Sequence, residues 1–120
     1  MKITKTKQKP ATYNDGFVEI YRKKDLTANR NITKVSEMDL VERFAYSEMS
    51  RRQQDLEFAE QNSFSLSMKI KIQRPVVDRG LDAYCYAVIG KILYGVQYLD
   101  TDRTDYFLYL EKVRELKEEQ

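Results

Sequence analysis

The feature of the sequence that most constrains the fold is residues 63–74, SFSLSMKIKIQR, in which apolar and polar side chains alternate. A period of two over this length predicts a half-buried β-strand. Arg74-Pro75 would end the strand, because proline cannot donate a hydrogen bond to a neighbouring strand. The predicted inner face consists of Phe64, Leu66, Met68, Ile70 and Ile72, and the predicted outer face of Ser65, Ser67, Lys69, Lys71 and Gln73. Because one strand is not stable alone, other segments must cover the apolar face.

The rest of the sequence predicts several more strands. Alternation or continuous apolar character indicates strands at residues 17–23, 38–49, 84–89, 91–100 and 105–112. In the second of these, Leu40, Phe44 and Tyr46 share one face. Gly90-Lys91 and Thr101–Thr104 have the composition of tight hairpin turns, so that the last three strands form a meander.

A change of period after Met49 predicts a helix. Ser50 and Gln53 have the spacing of a capping box with Ser50 as the N-cap, and Asn62 is suited to end the helix in a left-handed conformation. Both faces of the last two strands are apolar. The second face therefore needs a cover, either the helix at residues 51–61 or another subunit.

These elements predict a mainly β fold: a small antiparallel β-barrel of five to six strands with one short α-helix inserted between long strands. At 120 residues the chain is expected to form one domain over residues 13–113. Residues 1–12, with Lys2, Lys5, Lys7 and Lys9, are expected to form a flexible basic arm, and residues 114–120 a charged, frayed tail. The polar loop 24–36 is expected to be mobile and the first site of proteolysis.

The composition excludes most catalytic arrangements. The chain has no histidine, no glycine-rich nucleotide-binding motif and one cysteine, Cys85, within an apolar strand. Burial in such a strand would raise the pKa of the thiol, so we expect Cys85 to be a core residue and not a nucleophile. The sequence from Asp100 to Asp105, with Glu111, resembles a calcium loop, but it lacks the glycine at the sixth position and has strands on both sides. We therefore expect no enzyme activity and no catalytic, cofactor-binding or metal-binding residues.

Charge and cysteine content also limit the partners. The net charge of +2 is too small for a strongly basic nucleic-acid binder. A lone cysteine suits a reducing compartment, and neither a membrane-spanning apolar run nor a secretory leader is present in the sequence. The expectation is a soluble protein that is made or assembled inside a cell and has no membrane partner.

Two sets of residues are candidates for contacts. A basic rim is predicted from Lys69, Lys71 and Arg74 on the central strand and from Arg51 and Arg52 at the start of the helix, because both sets adjoin one short connection. The long loop adds Lys24, Arg30 and Lys34 as candidate contacts with a partner or a DNA channel. The candidate subunit interface consists of Tyr94, Tyr98, Tyr106 and Tyr109, since tyrosine is enriched at interfaces.

The order of segments resembles that of the head–tail joining proteins of tailed bacteriophages and prophages, which include head-closure, stopper and head–tail adaptor proteins. The resemblance covers residues 13–113 and rests on four segments. They are the strand Glu42–Met49, the helical stretch Leu56-Glu57-Phe58-Ala59-Glu60-Gln61, the alternating strand Phe64–Ile72, and the hairpin from Tyr98-Leu99-Asp100 to Tyr106-Phe107-Leu108-Tyr109-Leu110. The loop 24–36 departs from the family pattern, which often has a glycine-containing turn followed by an aromatic residue there.

The resemblance implies a virion structural protein, present in the host cytoplasm during assembly. Such a protein forms a ring that joins the portal or adaptor ring to the tail proteins and surrounds the double-stranded DNA channel. In some members of the family a loop closes the channel, and residues 24–36 would be the candidate here by length. Self-association into the ring is expected only on docking, with a largely monomeric free protein.

A second function class stays open from the residues alone. A small barrel of the OB type that binds single-stranded nucleic acid would use tyrosines for base stacking and the stripe of Lys69, Lys71 and Arg74 for the backbone. The low net charge argues against it. A salt titration of DNA binding discriminates between the two classes.

Overall fold

A computed structural model describes residues 13–24 and 32–117 of the chain. The predicted basic arm, Arg30 and the last three residues of the predicted tail lie outside the described residues.

The described residues form six antiparallel strands that close into one barrel, with neighbours in the order β1-β2-β3-β6-β5-β4. The strands are β1 Gly16–Lys23, β2 Met38–Met49, β3 Met68–Gln73, β4 Tyr86–Ile89, β5 Ile92–Thr101 and β6 Asp105–Glu115. A short 3-10 helix covers Val35–Glu37, and the α-helix α1 covers Gln53–Gln61, between β2 and β3. The predicted mainly β barrel with one inserted helix is confirmed.

Because all neighbouring strands are antiparallel, the connections divide between the two ends of the barrel. One end, called the loop end, carries residues 24, 32–37, 74–85 and 102–104. The opposite end, called the helix end, carries α1 with its flanking connections and the tight turn at Gly90. Gly90 has a φ of 63°, a conformation in which a residue with a Cβ is strained, so this two-residue turn depends on glycine.

The inner core confirms the predicted register of β3. Ile70 and Ile72 point into the barrel and are fully buried, and across the ladder with β6 Ile70 faces Leu108 and Ile72 faces Tyr106. The predicted strand is nevertheless too long at its start. Residues 63–67 form the connection from α1, and Phe64 and Leu66 pack on the outer face of the barrel instead of the inner one.

The apolar outer face of the late strands is covered by the chain itself at two places. Under α1, Ala59, Leu66 and Tyr109 form a cluster with three phenylalanines, and this arrangement fits the predicted cover by the helix. A second outer cluster is one that the sequence does not predict. It is formed by Tyr21, Ile32, Met38, Val88, Leu93 and Leu116.

The second outer cluster anchors part of the loop that was expected to be mobile. Ile32 is 7% exposed, and the carbonyl oxygen of Thr33 accepts a hydrogen bond from the backbone N–H of Lys117 at 2.9 Å. Strand β6 also continues through Glu115, beyond the predicted end, because Arg114 and Glu115 pair with the first residues of β5. The charged tail is therefore shorter than expected.

A β-bulge changes one predicted face of β2. The register between β1 and β2 shifts between Ile20 and Tyr21, so that one extra residue, Val41, is inserted in β2. Phe44 and Tyr46 share one face as predicted, and it is the inner one, but Leu40, on the far side of the bulge, is 55% exposed and does not share it. The alternation alone does not show where a bulge reverses the two faces.

The ends of α1 also differ from the prediction. The N-cap is Arg52, and its backbone N–H donates to the Asp55 carboxylate at 2.9 Å, so the capping interaction lies two residues later than the predicted pair Ser50 and Gln53. At the other end Asn62 is not left-handed, and Ser63 adopts the positive φ of 63°.

Candidate functional site

Lys69 lies on the outer face of β3, as the alternation predicts, but it is buried. Its ammonium lies 3.3 Å from both carboxylate oxygens of Asp55, and the Tyr109 hydroxyl donates to the same carboxylate at 3.3 Å. Only 5% of Lys69 and 7% of Asp55 is exposed. The predicted exposure of Lys69 in a basic rim is therefore wrong, because α1 covers this part of the strand.

Asp55 connects the helix to the barrel wall through its carboxylate. Burial alone would raise the pKa of this group, but the backbone N–H of Arg52, the ammonium of Lys69 and the Tyr109 hydroxyl together hold its pKa below the ordinary value. The carboxylate thus caps the helix and pairs with the strand beneath it. Since a buried charge is stable only when it is paired, this geometry fixes where α1 sits on the wall.

Because the pKa of Asp55 is lower in the folded than in the unfolded chain, we predict that the barrel loses stability in acid. Above the unfolded pKa the stabilisation is fully present, and it is lost as the pH falls through the folded value. Urea unfolding at neutral and strongly acidic pH measures the effect. Asp55→Asn should reduce the stability lost below pH of about 4, and an unchanged acid dependence in this variant would contradict the prediction.

Lys71, the next outward residue of β3, is partly exposed and lies near the segment before β1. Its ammonium is 5.7 Å from the centre of the Tyr13 ring, and the Tyr13 hydroxyl donates to the carboxylate of Asp105. Burial and the hydrogen bond to Asp105 raise the pKa of Tyr13 to about 12. Residues 13–15 are therefore held against the outer wall before β1 begins.

Arg74 lies at the loop end. Its guanidinium donates to the Asp102 carbonyl at 3.0 Å and is 5.9 Å from the centre of the Tyr106 ring. In the same turn the Asp102 carboxylate accepts backbone N–H groups of Thr104 and Asp105 at 2.9 and 2.8 Å, and these bonds lower the pKa of Asp102. Asp102 belongs to the segment that resembles a calcium loop in sequence, and its carboxylate stabilises the hairpin turn between β5 and β6.

Arg51 and Arg52 lie at the helix end, away from Arg74. Arg51 donates to the carbonyl of Leu66 at 3.3 Å, and Arg52 is the exposed N-cap of α1. The predicted basic rim is therefore divided. Strand β3 runs from one end of the barrel to the other, so residues before and after it are close in sequence and far apart in the fold.

The two described cations of the first long loop are exposed. Lys24 forms an ion pair with Asp39 at 3.6 Å, and Lys34 lies beside the 3-10 helix. Surface pairs of this kind contribute at most about 1 kcal/mol. The third cation predicted there, Arg30, lies outside the described residues.

The four tyrosines of the candidate subunit interface do not form one surface. Tyr106 points into the barrel and Tyr94 packs against the inner core. Tyr98 and Tyr109 lie with Phe58 of α1 in one aromatic cluster, with ring centres 4.7 to 5.8 Å apart. Of the four, Tyr98 keeps the largest accessible area, at 38%.

Residues 74–85 connect β3 to β4 at the loop end. Leu81 packs against the inner core, and Arg79 forms an ion pair with Glu42 at 2.8 Å. Two apolar side chains of the same loop face outward: Val76 is fully exposed and Val77 is 62% exposed. The sequence signal for this apolar tip is the pair Val76-Val77, which lies between Arg74-Pro75 and Asp78-Arg79.

The wall of the barrel carries a groove that no sequence pattern marks. It has a volume of 350 Å³ and lies over Gly95 of β5. Its lining includes Lys23 of β1, Tyr84 and Tyr86 near the start of β4, and Val113 of β6. A Cβ atom at Gly95 would lie 3.2 Å from the Gln97 side chain, so the absence of a side chain at Gly95 leaves the groove open.

Cys85 and the acidic residues are the remaining candidates for a reactive or metal-binding site. Cys85 is 3% exposed, as predicted, and burial raises the pKa of its thiol. In the ranges 13–24 and 32–117 no group of three cysteine or carboxylate side chains could hold a metal ion. Within the same ranges, α1 falls short of the length and apolar character that a membrane-spanning helix needs.

Comparison of the chain with protein-family models, with curated proteins and with solved structures gave no match.

Proposed function

We propose that this chain is a structural virion protein of a tailed bacteriophage or prophage. In this proposal it forms a ring at the head–tail connector, joins the portal or adaptor ring to the tail, and helps to retain packaged DNA.

The observation that carries the proposal is the position of α1 on a closed six-stranded barrel. The helix lies between β2 and β3, and the barrel closes by pairing β3 with β6 and β1 with β4. The resemblance of the sequence to the head–tail joining proteins rests on the same order of strands and helix. A closed barrel also suits a component of a stacked assembly, because it has a rigid wall and presents its connections at two opposite ends.

The distribution of exposed apolar residues is consistent with contacts on more than one side. Val76 and Val77 at the loop end could be buried against a ring above or below. Phe17 and Leu40, both 55% exposed, lie on the wall formed by β1 and β2. Large apolar side chains on separate faces are expected of a subunit that contacts several neighbours at once.

A particle experiment tests the proposal directly. Deleting the gene for this chain from its phage or prophage should give separate heads and tails that do not join, and supplying the protein should restore joined particles. Mass spectrometry of purified wild-type particles should detect the chain. The proposal fails if the deletion leaves normal particle numbers and the chain is missing from them.

The binding of single-stranded nucleic acid is the alternative, and the placement of the tyrosines weakens it. All nine tyrosines lie in the described ranges, and of these Tyr84, at 80%, and Tyr98, at 38%, are exposed, while the other seven are buried or partly buried. Base stacking needs accessible rings. A salt titration with single-stranded DNA separates the two functions, since tight binding that weakens steeply with salt would favour the barrel binder.

A further inference from the structure

We propose that the edge of β2 at residues 42–45 is a docking site, at which an extended acidic segment of another protein adds as a further strand. The inference goes beyond the proposed function and does not depend on it. It follows from the way in which β2 and β3 separate toward the loop end, and from the charges that lie beside the gap.

Strand β2 extends well beyond the strand that pairs with it on this side. β3 pairs only with the last four residues of β2, and the ladder stops at Tyr46 and Ile72. In the same register Pro75 would face Arg43, and proline has no N–H with which to continue the ladder. A slit of 220 Å³ opens there instead, between β2 and the end of β3.

The connection from β3 to β4 does not pair with this edge, because it crosses the mouth of the barrel. Leu81 packs against the inner core, and Asp82 forms an ion pair with Arg22 of β1 at 3.7 Å. Among the described residues, no backbone hydrogen bond joins this connection to residues 38–45. The edge of β2 is therefore open along the slit.

The backbone groups that face the slit belong to alternate residues of β2. The carbonyl oxygen of Tyr46 accepts the N–H of Asp15, just before β1, so Tyr46 and Phe44 face β1. Ala45 and Arg43 then turn their N–H and C=O groups to the other side. Arg43 lies beyond the last pair with β3 and has no strand opposite it. Another extended backbone is the natural partner for such an edge, and this argues for a peptide strand as the occupant.

The charges beside the slit indicate that the added segment is acidic. Arg74 lines the slit, and Arg43 is exposed on its β2 side. The Arg43 guanidinium stacks on Phe17 and that of Arg74 donates to a backbone carbonyl, but in the ranges that the structure describes neither forms an ion pair. Glu42, the carboxylate that lines the slit, is already paired with Arg79 at 2.8 Å. A segment that brings its own carboxylates is complementary to the two free guanidinium charges.

Apolar side chains beside the slit set a second requirement for the segment. Val76, which lines the slit, is fully exposed, and Leu40, further along β2, is 55% exposed. Phe44 contributes an apolar side chain to the lining. A strand with β-branched residues among its acidic ones would cover these side chains.

Amide hydrogen exchange of the full chain tests whether the edge is open. We expect the N–H of Arg43 to exchange at least about tenfold faster than that of Phe44, which faces β1. Slow exchange of Arg43 at every concentration would mean that another segment of the same chain covers the edge. Slow exchange that is lost on dilution would mean that a second copy covers it. Either result overturns the proposal.

A displayed library of random peptides, each of about ten residues, is the probe for the docking site. Selection against the wild-type protein should enrich peptides that combine acidic with β-branched residues. A synthetic copy of an enriched peptide should lose binding when the backbone nitrogens along one of its edges are methylated, and should keep it when those along the other edge are. Failure to enrich any sequence, or equal tolerance of the two methylation patterns, contradicts strand addition.

Arg43→Pro, with Arg43→Ala as its matched control, tests the same edge from the side of the protein. Both variants lose the guanidinium, but only proline also lacks the N–H. Arg43→Ala should weaken the binding of an enriched peptide about tenfold. Arg43→Pro should abolish binding and still give a native circular dichroism spectrum, because proline is tolerated at an open edge. Equal binding by the two variants would reject the site, and the methylated peptides decide the question if Arg43→Pro does not fold.

Discussion

The replacement Lys69→Asp is expected to unfold the barrel. It removes the cation that neutralises Asp55 and places a second carboxylate against it under α1. Breaking a buried ion pair costs about 3–5 kcal/mol by itself, and the repulsion adds to this. Since small domains are stable by about 5–15 kcal/mol, the loss should leave little native protein. Circular dichroism and urea unfolding measure the outcome.

Lys71→Asp is the matched control, because residue 71 lies two positions further on the same face of β3 but is partly exposed. This variant should remain folded. A third variant, which combines Lys69→Met with Asp55→Leu, replaces both charges by apolar side chains and should be more stable than Lys69→Asp, but less stable than the wild type because it also removes the helix cap and the acceptor of the Tyr109 hydroxyl. Native spectra for Lys69→Asp, equal to those of Lys71→Asp, would show that α1 does not bury the pair.

The second large effect is expected for Leu93→Ala. Leu93 is fully buried on the outer wall, in the cluster covered by Ile32 and Leu116. Truncation of a buried leucine to alanine costs about 2–5 kcal/mol. It should also loosen residues 32–37 from the wall, so trypsin should cleave after Lys34 faster than in the wild type.

Leu40→Ala serves as the control for Leu93→Ala, because it makes the same substitution at a side chain that is 55% exposed. We expect a change of about 0.5 kcal/mol or less and an unchanged rate of cleavage after Lys34. If the two variants lost equal stability, the outer cluster would not contribute as a second core.

The sequence is sufficient to predict those parts of the fold that depend on local periodicity. The register of β3, the hairpin turn at Gly90 and the burial of Cys85 all agree with the structure. Each follows from the preferences of residues adjacent in the chain. The presence of a helix between two long strands follows from a change of period after Met49.

The features that the sequence does not predict depend on residues distant in the chain. The pairing of Lys69 with Asp55 requires α1 to fold back over β3, and alternation marks Lys69 only as outward-facing. The Gly95 groove is lined by residues of four strands, β1, β4, β5 and β6, which are far apart in the chain. The basic rim fails for a related reason, because proximity in sequence to β3 does not give proximity in space.

The pairing of β3 with β6 has a consequence for folding. Strands β4 and β5 lie between them in the chain, and β1 reaches β4 only after β2, α1 and β3 have been passed. The two pairings that close the barrel are thus non-local, and such contacts slow folding to milliseconds or seconds. During synthesis β3 and β5 each lack one of their two neighbouring strands, β6, until it has emerged from the ribosome. Nascent chains therefore expose unpaired strand edges, at which they are open to aggregation and to chaperones.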